Sequence, residues 1–241
     1  MKVTLISHTP DALDLLIFTK GTRLALSPNQ MEKVRRMPME EKLREVDYIS
    51  KTIPSSWEFV DFVFLVEGVS RACTHQMVRT RNASYAQQSL RVVENSEYEY
   101  VYTDRNKQRS NVMEVIDEVN RVIKEAYRTL VEDYGHPVED SRGILPTNIG
   151  TNIVCKYNLR TLSELARSRT GGRTQSEYIK IVTAMVDAAL VALPWAGPFL
   201  SIQSRDLFAE IEGFAEEEFG GDLLRKGKLL KIVDELRKKM K

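Results

Sequence analysis

The chain has 241 residues, and its 35 basic and 34 acidic side chains leave a formal net charge of only +1. That balance excludes a protein-wide field that would attract nucleic acid or a membrane surface, so we expect neither as a partner. The two cysteines and three histidines show neither a disulfide framework nor a metal-ligand spacing, and no bound metal is expected. Because the chain has no signal peptide and no apolar run of membrane-spanning length, we expect a cytoplasmic protein with a single domain over residues 1–241.

The residue patterns predict alternating strands and helices along the chain. A strand buried on both faces is expected at residues 58–66, and Gly68 should end it. The next helix, at residues 69–79, would place Gln76 and Arg79 one turn apart on the same face. The other predicted elements are a strand at 3–7, charged helices within 10–52, an aromatic strand at 97–102, a packing helix at 112–134, a strand at 151–157, helices at 160–169 and 175–193, and an amphipathic tail from residue 206.

Residues 79–91 combine three arginines with several amide and hydroxyl side chains. Guanidinium groups present a planar fork of donors that suits phosphate oxygens. A second arginine-rich region covers residues 158–173, and Arg142 lies upstream of it. Cations at the end of a helix also offset its dipole, so for Arg167 and Arg173 both interpretations stay open. No Walker loop or GxGxxG motif is present, so a nucleotide would have to bind through arginines and amides.

The arrangement of these blocks resembles a known family. Arg79 and Arg81, followed by seven residues and Ser89, are similar to the signature of the flavin-dependent thymidylate synthases. Several separated blocks in one order are hard to produce by chance. The further matching blocks are residues 67–72 and 75–79, Arg142 with Leu145 and Pro146, residues 158–160, Arg169, and residues 175–177. Together they span residues 55–177, about half of the chain.

The resemblance implies an α+β subunit, with an antiparallel or mixed sheet and long helices, in a homotetramer whose active sites are built from more than one subunit. It also implies FAD as cofactor and the pyrimidine nucleotide dUMP as substrate. Methylenetetrahydrofolate would give the one-carbon unit and NADPH the reducing equivalents. Thymidylate would form without a cysteine nucleophile, and we therefore expect Cys73 to be a packed, unreactive thiol.

The resemblance also assigns site residues by their position in the motifs. The residues implied to contact FAD are Ser55, Arg79, Thr80, Arg81, Asn82, Gln87, Asn158, Arg160 and Glu164. Those implied to hold the nucleotide are Gln76, Arg79, Gln87, Gln88, Ser89, Leu90, Arg91, Arg142 and Arg169. Arg169 is the implied catalytic residue. Its guanidinium would face the uracil, favour loss of the N3 proton and stabilise the anion, which makes C5 more nucleophilic.

The sequence departs from the family pattern on the flavin side. Ile53, Phe59, Thr80 and Arg173 stand where the family has histidines, Gln87 replaces an acidic residue and Val92 a tyrosine. Each change removes a group that could stack on, bond to or exchange protons with flavin or folate.

Two alternatives therefore remain beside dUMP methylation. The chain could methylate UMP or leave a hydroxymethyl group at C5, or it could be a non-catalytic nucleotide-binding or RNA-binding relative.

Overall fold

A computed structural model of the protein describes residues 1–22, 27–91, 98–170, 174–201, 211, 215, 218–219 and 221–239. Residues 1–202 form one compact unit, and residues 203–241 form a second. Within the second unit, the structure describes the helix Leu223–Lys239. The predicted tail from residue 206 lies partly outside the described residues, and the single domain stays a prediction.

The first unit is built around a four-stranded sheet in which every neighbouring pair is antiparallel. The strands are β1 (Lys2–His8), β2 (Asp61–Ser70), β3 (Ala83–Gln87) and β4 (Gly150–Asn158), in the spatial order β1-β2-β4-β3. The helices are α1 (Ala12–Gly21), α2 (Gln30–Arg36), α3 (Met39–Thr52), α4 (Arg71–Met77), α5 (Asp104–Lys107), α6 (Ser110–Arg128), α7 (Val138–Ser141), α8 (Leu159–Arg169), α9 (Ser176–Ala192) and α10 (Gly197–Leu200). In the second unit, Leu223–Lys239 is α11.

Alternation of apolar residues explains which face of the sheet forms the core. Phe62, Phe64 and Val66 of β2 are completely buried, whereas Val63 and Leu65 on the other face are only half-buried. The prediction of a strand buried on both faces was therefore wrong. The buried face packs in one apolar cluster with residues of α8 and α9, which places these two helices against the sheet.

Gly68 does not end β2 as predicted. The pairing of β2 with β4 shifts between Val66 and Val69, and the strand then continues to Ser70. Gly68 has a φ of 64°, a left-handed value that glycine adopts without strain. The glycine thus marks a bulge inside the strand.

Helix α4 is shorter than predicted. It ends at Met77, and the hydroxyl of Tyr85 donates to the carbonyls of Met77 (2.7 Å) and Thr80 (3.0 Å) just beyond that end. Arg79 therefore lies in the following turn, and the predicted shared helix face with Gln76 was wrong.

The aromatic segment at residues 97–102 is not a strand where it is described. Tyr100 makes one isolated bridge to Ile149, and its hydroxyl donates to the carbonyl of Asn120 on α6 at 2.7 Å. Tyr98 packs edge-to-face on Tyr100, with ring centroids 5.1 Å apart. The tyrosines thus bind this segment to α6 instead of extending the sheet.

Helix α6 buries only part of its apolar surface within the described chain. Asn120 and Tyr127 are buried, but Val115, Val119 and Val122 are 64%, 52% and 51% exposed. These valines recur at spacings of four and three residues, so they form one continuous stripe beside the packed face.

Candidate functional site

Arginines from three separate parts of the chain meet beside the sheet. Arg91 donates from Nε to the Glu139 carboxylate at 2.6 Å, and Arg142 donates from Nε to the Glu139 backbone carbonyl at 3.0 Å. Arg142 stands in the short helical turn Arg142–Ile144, directly after α7. The predicted nucleotide residues Arg91 and Arg142 are therefore brought together in one protomer.

Arg71, the first residue of α4, completes this cluster and was not among the predicted site residues. It donates from Nη2 to the carbonyl of Gln88 at 2.5 Å, while its buried Nε has no partner in the described part of the chain. Burial lowers the pKa of Arg71, and the positive charge of Arg142 lowers that pKa further. A buried donor that lacks a partner, next to a second cation, favours binding of an anion.

The segment after β3 places three more predicted nucleotide residues beside this arginine cluster, which consists of Arg71, Arg91 and Arg142. The backbone N–H of Gln88 donates to the carbonyl of Asn152 at 3.2 Å, which ties the segment to β4. The hydroxyl of Ser89 accepts from the backbone N–H of Arg91 at 3.1 Å, so its own hydrogen can still be donated. Leu90 is half-buried and lies between Ser89 and Arg91 in the chain.

Gln87 and Gln76 are engaged within the chain. Gln87 donates from its side-chain amide to the hydroxyls of Thr74 (2.9 Å) and Thr151 (3.3 Å), which joins β3 to α4 and β4. The Gln76 amide is exposed and bonds the side chain of Gln175, just before α9. The ligand-binding roles of both glutamines stay predictions, and Gln87 already has a structural role.

Four of the predicted FAD-binding residues line one open recess of about 320 Å³: Asn82, Asn158, Arg160 and Glu164. Within this recess Arg160 donates to Glu58 at 2.7 Å and to Glu164 at 3.3 Å. Hydrogen bonds to these two carboxylates raise the pKa of Arg160. Asn158 caps α8, because its side-chain oxygen accepts from the backbone N–H of Thr161 at 2.8 Å.

The turn after α4 presents further cations. Arg79 and Arg81 are exposed, and among the residues that the structure describes no carboxylate forms an ion pair with either side chain. The guanidinium of Arg169, at the end of α8, lies 5.9 Å from the ring centroid of Tyr178. Burial raises the pKa of Tyr178, and the nearby Thr80 side chain and the Arg169 charge oppose that rise. Tyr178 thus lies near both Arg169 and Thr80, and its buried hydroxyl has no hydrogen-bond partner within the described residues.

The remaining positions are more dispersed. Ser55 lies in the helical turn Pro54–Phe59, three residues before Glu58 of the recess. Ile53 is a core residue, whereas Phe59 is 56% exposed. Arg173 and Val92 lie outside the described residues.

The two cysteines are both free and buried. Burial raises the pKa of Cys73 to about 12, with a smaller contribution from the charge of Glu177, and burial raises that of Cys155 to about 12 as well. A thiol with such a pKa carries almost no thiolate at neutral pH, and it is the thiolate that acts as a nucleophile. Neither cysteine is therefore suited to nucleophilic attack.

No group of three or more His, Cys, Asp or Glu side chains could hold a metal ion within the described ranges. Nor does any described helix combine the length and the apolar composition that crossing a bilayer requires.

Comparison with known proteins defines the class to which the chain belongs. Residues 4–195 match the family described as thymidylate synthase complementing protein. The flavin-dependent thymidylate synthase of Geobacter sulfurreducens is 32% identical over 77% of this chain and 81% of that protein. The one from Pyrococcus horikoshii is 33% identical over 78% of each chain, and that of Clostridium tetani is 29% identical over 82% of this chain and 87% of its own.

A solved structure shows the same fold. The crystal structure of thymidylate synthase X from Helicobacter pylori with FAD and dUMP superimposes with a TM-score of 0.64 at 19% identity, covering 83% of this chain and 97% of that chain. The chain belongs to the flavin-dependent thymidylate synthase family. Both the family and the α+β fold predicted from the sequence are confirmed.

Proposed function

We propose that the protein methylates C5 of dUMP to give dTMP, with FAD as cofactor, methylenetetrahydrofolate as carbon donor and NADPH as reductant. The observation that carries this proposal is the arginine cluster: Arg91 and Arg142 both bond Glu139, and Arg71 lies close to Arg142 with one buried guanidinium N–H that has no partner in the described part of the chain. Relatives that bear the name flavin-dependent thymidylate synthase match most of the chain, which supports this reaction over other uses of an anion site.

The arginine cluster suits the phosphate of a mononucleotide. A monophosphate near neutral pH carries a charge of roughly −1.5 to −2, which one lysine or arginine alone does not neutralise. Arg71 and Arg142 offer two positive charges, and the phosphate would compete with Glu139 for Arg91. Ser89 can donate a further hydrogen bond from its hydroxyl. The phosphate would thus be held by side chains from α4, the segment after β3 and the turn after α7.

Arg169 is suited to the base of the nucleotide. Its side chain is exposed at the end of α8 and lies beside the ring of Tyr178, so it is available to a ligand. A fixed cation next to the uracil stabilises negative charge that develops when N3 loses its proton, and this increases the electron density at C5. Arg169 thereby promotes attack of C5 on an electrophilic carbon without a covalent bond from Cys73.

The residues expected to hold FAD fit that cofactor in their chemistry. Arg79 and Arg81 form no ion pair with a described carboxylate and can bind the pyrophosphate in a bidentate manner. The recess of about 320 Å³ lies at the small end of the range for ligand pockets, so it can enclose only part of a dinucleotide. When bound, FAD supplies the hydride chemistry that a one-carbon transfer requires. Asn82, Arg160 and Glu164 would orient it.

We further propose that the protein works as a homotetramer. The exposed valine stripe of α6 (Val115, Val119 and Val122) supports this, because a continuous apolar surface of this kind is usual at contacts between subunits. The open form of the recess agrees with a site that a second subunit completes.

A turnover assay with dUMP and UMP side by side, with FAD, methylenetetrahydrofolate and NADPH, tests the function. We expect a product heavier than dUMP by one CH₂, because a methyl group replaces the hydrogen at C5. A hydroxymethyl product, or turnover of UMP instead, would replace the proposed reaction with one of its close relatives. A colourless preparation that binds nucleotide but neither FAD nor folate would identify a non-catalytic binder.

A further inference from the structure

Glu177 is a buried carboxylate that has no assigned role in binding the nucleotide or FAD. It is the second residue of α9, and it is buried. One carboxylate oxygen accepts the backbone N–H of Ser70 at 2.7 Å, and the other accepts the hydroxyl of Ser70 at 2.6 Å. A buried carboxylate is costly unless it is fully hydrogen-bonded, so this two-point contact fixes Ser70 relative to α9.

Ser70 is itself the residue that begins α4. It is the last residue of β2 and the N-cap of α4, and its hydroxyl oxygen accepts the backbone N–H of Cys73 at 3.1 Å. Because the hydroxyl hydrogen points to Glu177, the oxygen lone pairs face the helix. The carboxylate therefore orients the cap as well as holding it.

The position of α4 determines the geometry of the nucleotide site. The helix has only seven residues, too few to be stable alone, so external contacts must hold it. At its start, Arg71 and Ala72 donate from their backbone N–H groups to the carbonyls of Ile149 (3.1 Å) and Thr147 (2.8 Å). Among the described residues, Glu177 is the only side chain of a long helix that hydrogen-bonds to Ser70, the residue that caps α4. Arg71 and Gln76 both belong to α4, so a shift of this helix would displace their side chains.

We propose that Glu177 is a positioning residue for nucleotide binding: by clamping Ser70 it fixes the start of α4, and with it Arg71, Gln76 and the turn that carries Arg79. This inference rests on the proposed function, since the nucleotide affinity is its main readout. Glu177 itself does not touch the ligand. A residue that contributed only to stability would change the unfolding midpoint without changing the affinity of the folded protein.

The first test is the affinity of the flavin-loaded protein for dUMP, measured by calorimetry. Glu177→Gln keeps the volume of the side chain but presents an NH₂ group where two acceptors are needed. We expect the dissociation constant to rise on the order of tenfold. Lys42→Met is the matched control, because it breaks a buried ion pair with Asp14, between α1 and α3. It should lower stability and leave the dUMP affinity unchanged.

A double-mutant cycle with Ser70 tests whether the two residues act together. Ser70→Ala removes the hydroxyl link with a smaller change than Glu177→Gln, and it should also weaken dUMP binding. Because both residues act through one contact, we expect the double variant to bind dUMP no more weakly than the single variant with the lower dUMP affinity. Affinities that match wild type in both folded single variants, or losses that simply add, would overturn the proposal.

Alkylation of the two buried thiols gives a readout that does not depend on the nucleotide. Cys73 lies in the first turn of α4, whereas Cys155 lies in the middle of β4. Ser70→Ala, which breaks the hydroxyl contact but keeps the charge of Glu177 near the thiol, should increase the labelling rate of Cys73 and leave that of Cys155 unchanged. If wild type failed to bind dUMP, the proposed function would be wrong, but faster labelling of Cys73 would still support positioning by Glu177. Equal rates for Cys73 in the two proteins would refute it.

Discussion

Arg71 has a buried Nε without a partner in the described part of the chain, and the charge of Arg142 lies close to it. If this donor binds the phosphate, Arg71→Lys should weaken dUMP binding by roughly tenfold to a hundredfold, since a lysine cannot reproduce the guanidinium fork. Calorimetric titration of dUMP measures this. Arg121→Lys, on the surface of α6, is the control and should bind as wild type does. An unchanged dUMP affinity in Arg71→Lys would show that Arg71 does not bind the phosphate.

Arg169 is expected to act on the chemical step more than on binding. Removing a group that stabilises developing charge typically lowers turnover by roughly 10²- to 10³-fold. Arg169→Ala should therefore reduce dTMP formation in a single-turnover assay by that amount, while Arg169→Lys keeps the charge and recovers part of the rate. Wild-type turnover by Arg169→Ala would show that another group activates the uracil.

The buried thiols give a prediction for the pH dependence of stability. Burial raises the pKa values of Cys73 and Cys155 from 9.0 to about 12. An unfolded thiol loses its proton near pH 9 while the folded one keeps it. The contribution of the two buried thiols to the free energy of unfolding is therefore complete below pH 9 and is lost as the pH rises towards 12. Urea unfolding of Cys73→Ala/Cys155→Ala should show a smaller decrease in the free energy of unfolding over this range than wild type, with dTMP synthesis retained. Loss of synthesis would implicate a thiolate.

At the level of whole elements, α6 carries the proposed contact between subunits. Val119→Glu would place a charge in the middle of the valine stripe, and burial of an unpaired charge is unfavourable. We expect light scattering to show a species smaller than the wild-type oligomer, together with lower activity. Val191→Glu, at an 84% exposed position of α9, is the control and should assemble normally. An intact oligomer in Val119→Glu would place the interface elsewhere.

The elements that the sequence predicted well are those whose pattern depends on local burial. Strand β4 and helices α8 and α9 have nearly the predicted bounds, because their apolar residues recur with the period of the element. The errors arose where distant contacts decide the local structure. Gly68 is a bulge because β4 continues to pair beyond it, and the aromatic segment leaves the sheet because α6 binds Tyr100.

For the whole molecule, the sequence predicted the arginines of the site through the family resemblance and not through spacing alone. Arg91 and Arg142 are 51 positions apart by their numbers, and no periodic pattern relates them. Glu139, Arg71 and Glu177 were missed because their importance comes from burial and from partners far along the chain. The predicted roles in binding FAD and nucleotide stay predictions until a ligand is observed.

The most direct measurement is a crystal structure of the protein with FAD and dUMP bound. We expect the phosphate of dUMP to lie within hydrogen-bonding distance of Arg71, Arg91 and Arg142, with the Arg169 guanidinium of the same or a neighbouring subunit beside the uracil. A phosphate bound away from all three guanidinium groups, or a uracil with no cation beside it, would show that the proposed nucleotide site is wrong.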